Sequence, residues 1–310
     1  MNTPETARPQ WLHRRERGSL FWLQIMRALS LWLGRRATRP LLYGIALYFL
    51  LAAGKARAAS RDYLSQQAGR PATLGEIYRH FLSFASTIHD RVYLLNDRFD
   101  AFEIEIQGAE ALHTLARQAG GVFLFGAHLG SFEVLRAAAR ANPEAPQRIC
   151  LAMYEDNARR INAILAAINP RNTPEIIPLG TLDAMLAVHR SLEEGAIVGV
   201  LADRSLATDD CVQIALMGRP ARLPIGPFRM AALLKRPVVF MAGLYRGGNR
   251  YTVHFELIAD FRQPGKADRD TAILQAIENY TVALESYCRK APYNWFNFYD
   301  FWEPSHHAPP

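Results

Sequence analysis

Three stretches of the chain are apolar throughout and short: Gly121 to Phe125 (GVFLF), Ala196 to Leu201 (AIVGVL) and Pro237 to Tyr245 (PVVFMAGLY). A strand with no polar alternation is buried on both faces, which happens in sheets covered by helices on both sides. Shorter strand patterns lie at Phe102–Ile106, Arg148–Met153, Ile176–Ile177 and Tyr251–Leu257. Helical periodicity lies between them, at 74–95, Ser131–Ala141, Asn157–Ile168, Thr181–Glu194, Gly226–Leu234 and Ala267–Arg289. Strands alternating with helices predict an α/β fold with a mainly parallel central sheet flanked by helices. In such sheets ligands lie beyond the carboxyl ends of the strands, which directs attention to the turns after Phe125, Met153 and Leu201.

The positive charge is concentrated at the N-terminus. Residues 1–75 hold twelve basic and three acidic side chains, leaving 24 basic and 26 acidic for the remainder. Nucleic acid and anionic membrane both attract such a segment, but here the charges frame apolar runs, LFWLQIMRALSLWL at 20–33 and LLYGIALYFLLAA at 41–53. The second run, with 13 residues, is short of the roughly 18–20 that span a bilayer as a helix. Apolar helices flanked by arginine and aromatic residues suit the headgroup region, so residues 1–60 are expected to be a membrane-associated helical segment, peripheral or a single-helix anchor, and 61–310 the body of the protein, with no nucleic-acid partner. No signal peptide is expected, which puts the body on the cytoplasmic face. The three cysteines, Cys150, Cys211 and Cys288, form no CxxC pair, so neither a disulfide framework nor a structural metal is expected.

The turn after the first buried strand reads Gly126-Ala127-His128-Leu129-Gly130-Ser131-Phe132-Glu133. On one continuous helix His128 and Glu133 would point ~140° apart. With His128 in the turn and Glu133 in the first turn of the following helix, the carboxylate reaches back to the imidazole. Orienting Nδ1–H in this way leaves Nε2 free as a general base. Gly126 and Gly130 give the bend and expose backbone N–H groups, which are candidate donors to an oxyanion, as is an arginine.

The segment FGAHLGSFE resembles the HX4D/E motif of lysophospholipid acyltransferase-type enzymes, and more closely the bacterial lipid A biosynthesis (late) acyltransferases. A hydrophobic N-terminal segment, HxGxxE, LxxGxxVGVLAD and MGRPARLPIGPFRMAALLKRPVV follow in that family's order, so the resemblance covers about Ser19 to Trp302. It implies a glycerolipid acyltransferase-like fold. It also implies transfer of a fatty acyl group from an acyl carrier protein or coenzyme A thioester to a lipid or glycolipid hydroxyl at the inner membrane, with no metal or cofactor. His128 would be the base and Glu133 its partner. Gly130, Asp203 and Arg204 would face the same rim, Arg159 or Arg160 would bind a phosphate, and Gly218, Arg219 and Arg222 would form a loop holding acceptor or donor. At the C-terminus, where the family often has tryptophan followed by paired basic residues, this chain reads YNWFNFYDFW with no basic residue. A heavily phosphorylated glycolipid would call for basic residues there, whereas an aryl polyene-type, ornithine-type or lysolipid acceptor would not, so the acceptor stays open between a lipid A precursor and these. Two other readings remain on the sequence alone: a thioester or ester hydrolase using the same pair, and a non-catalytic membrane scaffold.

Overall fold

The structure is a computed structural model. It describes residues 27–135, 148–154, 158, 164–165, 168–169, 175–205, 210–262 and 268–302. Seven strands form one sheet, in the order β1 (Glu103–Gln107), β9 (Arg250–Asp260), β8 (Pro237–Tyr245), β2 (Val122–Gly126), β5 (Ile197–Leu201), β3 (Ile149–Tyr154) and β4 (Glu175–Leu179). Every neighbouring pair is parallel except β8 with β9. The α/β class and the mainly parallel sheet are as the alternation requires.

The continuous apolar runs are explained by burial on both faces. Phe123 and Phe125 enter one core cluster, while Val122 and Leu124, alternating with them, enter the other. Val238 and Phe240 divide from Val239 and Met241 in the same way. Each such side chain gains about 1.5–3 kcal/mol on burial, so a polar residue anywhere in these strands would be costly. The first face is covered by the helix Arg269–Lys290, through Ile277, Tyr280 and Leu284. The second is covered by Ala109–Ala119, through Leu112 and Ala116.

The N-terminal part is helical at residues 27–33 and then forms α1 (Arg35–Thr38), α2 (Pro40–Ala52) and α3 (Gly54–Ala68), followed by α4 (Leu74–Leu95). Helix α4 starts with a capping box in which Thr73 and Glu76 each accept from the other's backbone N–H, and it occupies the span its periodicity predicts. Leu42 and Ala46 of α2 are buried, and residue 60 lies inside α3, whose Ala56, Tyr63 and Leu64 belong to the main core. Arg35 pairs with the buried Asp90 of α4 through Nε and Nη2, at 2.7 and 3.0 Å, and Tyr251 of β9 donates its hydroxyl to the same carboxylate at 2.9 Å. Opposite this anchored side, Trp32 is 82% exposed and Leu41, Tyr48 and Leu51 are also exposed. Among the described residues no single helix is long and apolar enough to cross a membrane, and the chain bends by 96° between Arg35–Ala52 and α3.

Candidate active site

Parallel register builds the centre of the site. Gly126, the last residue of β2, is paired with Leu201, the last residue of β5. Two residues beyond each strand end stand His128 and Asp203, which therefore emerge side by side at the carboxyl edge of the sheet. His128 Nδ1 lies 2.8 Å from Asp203 Oδ1, and the His128 backbone N–H donates to Asp203 Oδ2 at 3.1 Å. A carboxylate only accepts, so Nδ1 carries the proton and Nε2 presents its lone pair. The imidazole is 32% exposed while Asp203 is fully buried.

Asp203 keeps its charge inside the protein through a full set of donors. Burial pushes its carboxyl upward, but His128, Arg204 and the Trp295 indole together hold it well below the usual carboxylate range. Burial and the positive charge of Arg204 lower the His128 pKa, Asp203 opposes them, and Arg91 adds a further lowering influence. The lowering favours the neutral imidazole, the form that can accept a proton.

Glu133 does not take the expected position. Residues 132–134 form a bend and turn, so the carboxylate is not in a first helical turn, and most of the expected Ser131–Ala141 helix lies outside the described residues. It instead receives the Ser131 hydroxyl at 2.8 Å and pairs with Arg91 of α4 at 2.6 Å. The group oriented on His128 Nδ1 is Asp203. Glu133 holds Arg91 beside the pair. Arg91 was missed in the sequence because its only signal is a position on the amphipathic helix 74–95.

Gly130 has a different role from the one expected. Its N–H donates to Asn294 O at 2.8 Å and the Ser131 N–H donates to Gly243 O at 2.8 Å, so neither is free for an oxyanion. Gly130 has φ +72°, and a Cβ there would collide with the Gly243 carbonyl oxygen. It is a glycine of close backbone approach. Gly199 serves the same turn: a Cβ on it would meet Phe132 Cζ at 2.7 Å. The glycine of VGVLAD thus makes room for the phenylalanine of HLGSFE.

A segment from Asn294 to Asn297 straps this edge. Phe296 N–H donates to His128 O at 2.7 Å. Trp295 Nε1 donates to Asp203 Oδ2 at 3.0 Å and Asn297 Nδ2 to the same oxygen at 3.4 Å. Arg204 donates to Asn297 Oδ1 and Phe296 O at 3.0 and 3.1 Å, and its guanidinium lies 5.2 Å from the Tyr299 ring centre. The family model of bacterial lipid A biosynthesis acyltransferases matches residues 9–303. The chain belongs to this family. Its members are acyltransferases of lipid biosynthesis, using an acyl donor and a lipid acceptor. Comparison with curated proteins gives no match.

Among the described residues, the expected binding residues divide between this centre and a separate hairpin. His128, Asp203 and Arg204 come together, with Gly130 beneath them. Gly218, Arg219 and Arg222 belong to a separate antiparallel hairpin of β6 (Cys211–Leu216) and β7 (Arg219–Pro224), not to a loop before a helix. Met217 and Gly218, at φ 53° and 80°, form its two-residue turn, a conformation that mirror-image hairpin turns demand. Arg219 pairs with Asp62 of α3 at 2.8 Å and lies over the Trp302 ring, while Arg222 stands opposite Gln213. Arg159 and Arg160 lie outside the described residues, as does most of the Asn157–Ile168 helix. Among the described residues no three His, Cys, Asp or Glu side chains converge as a metal site.

Proposed function

We propose that this protein transfers a fatty acyl group from an acyl carrier protein or coenzyme A thioester to the hydroxyl of a lipid or glycolipid at the cytoplasmic face of the inner membrane. The observation that carries the reading is the 2.8 Å contact of His128 Nδ1 with the buried Asp203 at a sheet edge where the imidazole remains accessible. The acceptor hydroxyl oxygen attacks the thioester carbonyl carbon as its proton passes to His128 Nε2. Asp203 stabilises the imidazolium without taking the proton. Collapse of the tetrahedral intermediate breaks the C–S bond, and the departing thiolate takes the proton back from Nε2. Arg204 and Arg91 supply positive potential at the site where the oxyanion develops.

The exposed apolar surface of α2 with Trp32 supports an interfacial placement, in which these side chains enter the headgroup layer and the exposed Arg36, Lys55 and Arg61 meet anionic lipid. Purified protein is incubated with labelled acyl donor and a membrane lipid extract, followed by mass spectrometry of the products. Acylated lipid formed by the wild type and lost in His128→Ala supports the reading. Free fatty acid alone identifies a hydrolase instead, and undiminished transfer by a folded His128→Ala protein rejects the mechanism.

A further inference from the structure

The donors that surround Asp203 do not come from its own strand. Oδ1 is given to His128, and Oδ2 receives the His128 backbone N–H, the Trp295 indole and the Asn297 amide. The orientation of Asn297 is fixed by chemistry, because a carboxylate only accepts and a guanidinium only donates. Its NH2 must face Asp203 and its oxygen Arg204 Nε. Trp295 is fully buried and held at its other end: His80 Nε2 lies 3.0 Å from Trp295 O. A carbonyl only accepts, so Nε2 carries the His80 proton, and Nδ1 takes the Ser60 hydroxyl at 2.8 Å. Tyr63 of α3 donates to Pro292 O and meets the Trp295 ring edge-on. Helices α3 and α4 therefore clamp the strap whose side chains hold the carboxylate.

We propose that Trp295 and Asn297 are positioning residues of the acyl-transfer reaction, fixing Asp203 so that Oδ1 stays on His128 Nδ1, with His80 as the clamp on Trp295. This rests on His128 being the base. These two side-chain donors, beside the His128 backbone N–H on the same Oδ2, restrain rotation of the carboxyl group and draw off part of its charge. Loss of either leaves a carboxylate that binds the imidazolium more strongly and points less well. The ionisable groups facing the pair are Arg204, Arg91, Tyr280, Tyr299 and Cys288. Burial pushes the last three up, so they stay neutral while His128 titrates.

The test compares kcat, KM and pH profiles of the full-length protein with those of Trp295→Phe and Asn297→Ala, with folding checked by thermal melting. Trp295→Phe removes the donor but keeps most of the ring. Its kcat should fall about tenfold with KM little changed, as expected for one charge-assisted hydrogen bond. The acid limb of kcat/KM should move to higher pH by roughly half a unit, since one pH unit corresponds to a tenfold change in proton affinity. Asn297→Ala should shift the limb the same way. An unchanged kcat, or a uniform loss across pH with no shift of the limb, in both folded variants overturns the proposal. His128→Ala run in parallel separates the two claims. If it is inactive while the strap variants behave as wild type, the positioning role alone is wrong. If it is active, the general-base reading has failed first.

Discussion

Asp203 Oδ1 lies 2.8 Å from His128 Nδ1 across 75 residues of sequence, whereas Glu133, in the same turn as His128, is directed to Arg91. The difference ranks the two acids. Asp203→Asn replaces an acceptor by an amide that can present a donor to Nδ1, which favours the wrong tautomer. Its kcat should fall on the order of 100- to 10,000-fold. Glu133→Gln, which loses only the charge paired with Arg91, should fall less than about tenfold, as expected for a single partly exposed ion pair. Steady-state transfer assays on both proteins check the order, and a greater loss from Glu133→Gln would reverse the assignment.

The pH dependence has a defined sign. Burial and Arg204 lower the His128 pKa, so the base form survives below the pH at which a free imidazole is half protonated, about 6.5. The acid limb of kcat/KM should therefore have its midpoint under this value. Replacing Arg204 with Gln removes the second of these influences and should move the limb upward. A limb unmoved in Arg204→Gln would mean that this charge does not reach the imidazole.

His80 makes stability pH-dependent in the acid range. Burial lowers its pKa to about 4 from an ordinary value of 6.5. Between these two values the unfolded chain binds the proton and the folded protein does not. Stability from this residue is thus complete above about pH 6.5 and declines as pH falls toward 4, by on the order of 3 kcal/mol in total. Urea melts across that range should show a steeper decline for wild type than for His80→Asn.

Gly130→Ala should destabilise strongly. Its φ of +72° strains any side chain, and the new methyl would strike the Gly243 carbonyl. A loss of at least about 3 kcal/mol is expected from strain and clash together. Thermal melting reads it, and a change below about 1 kcal/mol would show that the two backbones separate freely.

Replacing Trp32, Tyr48 and Leu51 by serine should weaken binding to anionic vesicles while leaving the melting temperature nearly unchanged, because all three side chains are exposed. This is cleaner than deletion of residues 1–60, which would remove Arg35 from Asp90 and cut α3 inside the core. Equal sedimentation with vesicles would locate the lipid contact elsewhere.

Elements governed by local rules could be read in advance. The 22-residue helix Leu74–Leu95 declares itself through apolar spacing and Thr73 with Glu76 at its start. Strand Pro237–Tyr245 declares itself as an apolar run whose alternate residues each find a core. The hairpin at Met217 and Gly218 escaped notice because a positive φ at methionine is not a common signal.

At the site, the pattern of residues singled out His128 and the rim around it but not the acid that the fold sets on its Nδ1. His128 was legible from its place after a buried strand between glycines, and Asp203 from its place after another. Spacing along the chain favoured Glu133, because nearness in sequence is all that a single chain read in order can offer. Strand pairing put Leu201 beside Gly126 and so brought Asp203 to the imidazole. Packing of α4 brought Arg91 to Glu133 and took that carboxylate away. The aromatic run at 293–302 had the composition of core or groove, and only the fold sets the Trp295 indole on Asp203, 92 residues away. Apolar periodicity is written locally because burial depends on which face a residue occupies. A hydrogen bond between distant segments depends on register, and register is fixed only when the whole sheet and the helices over it close together.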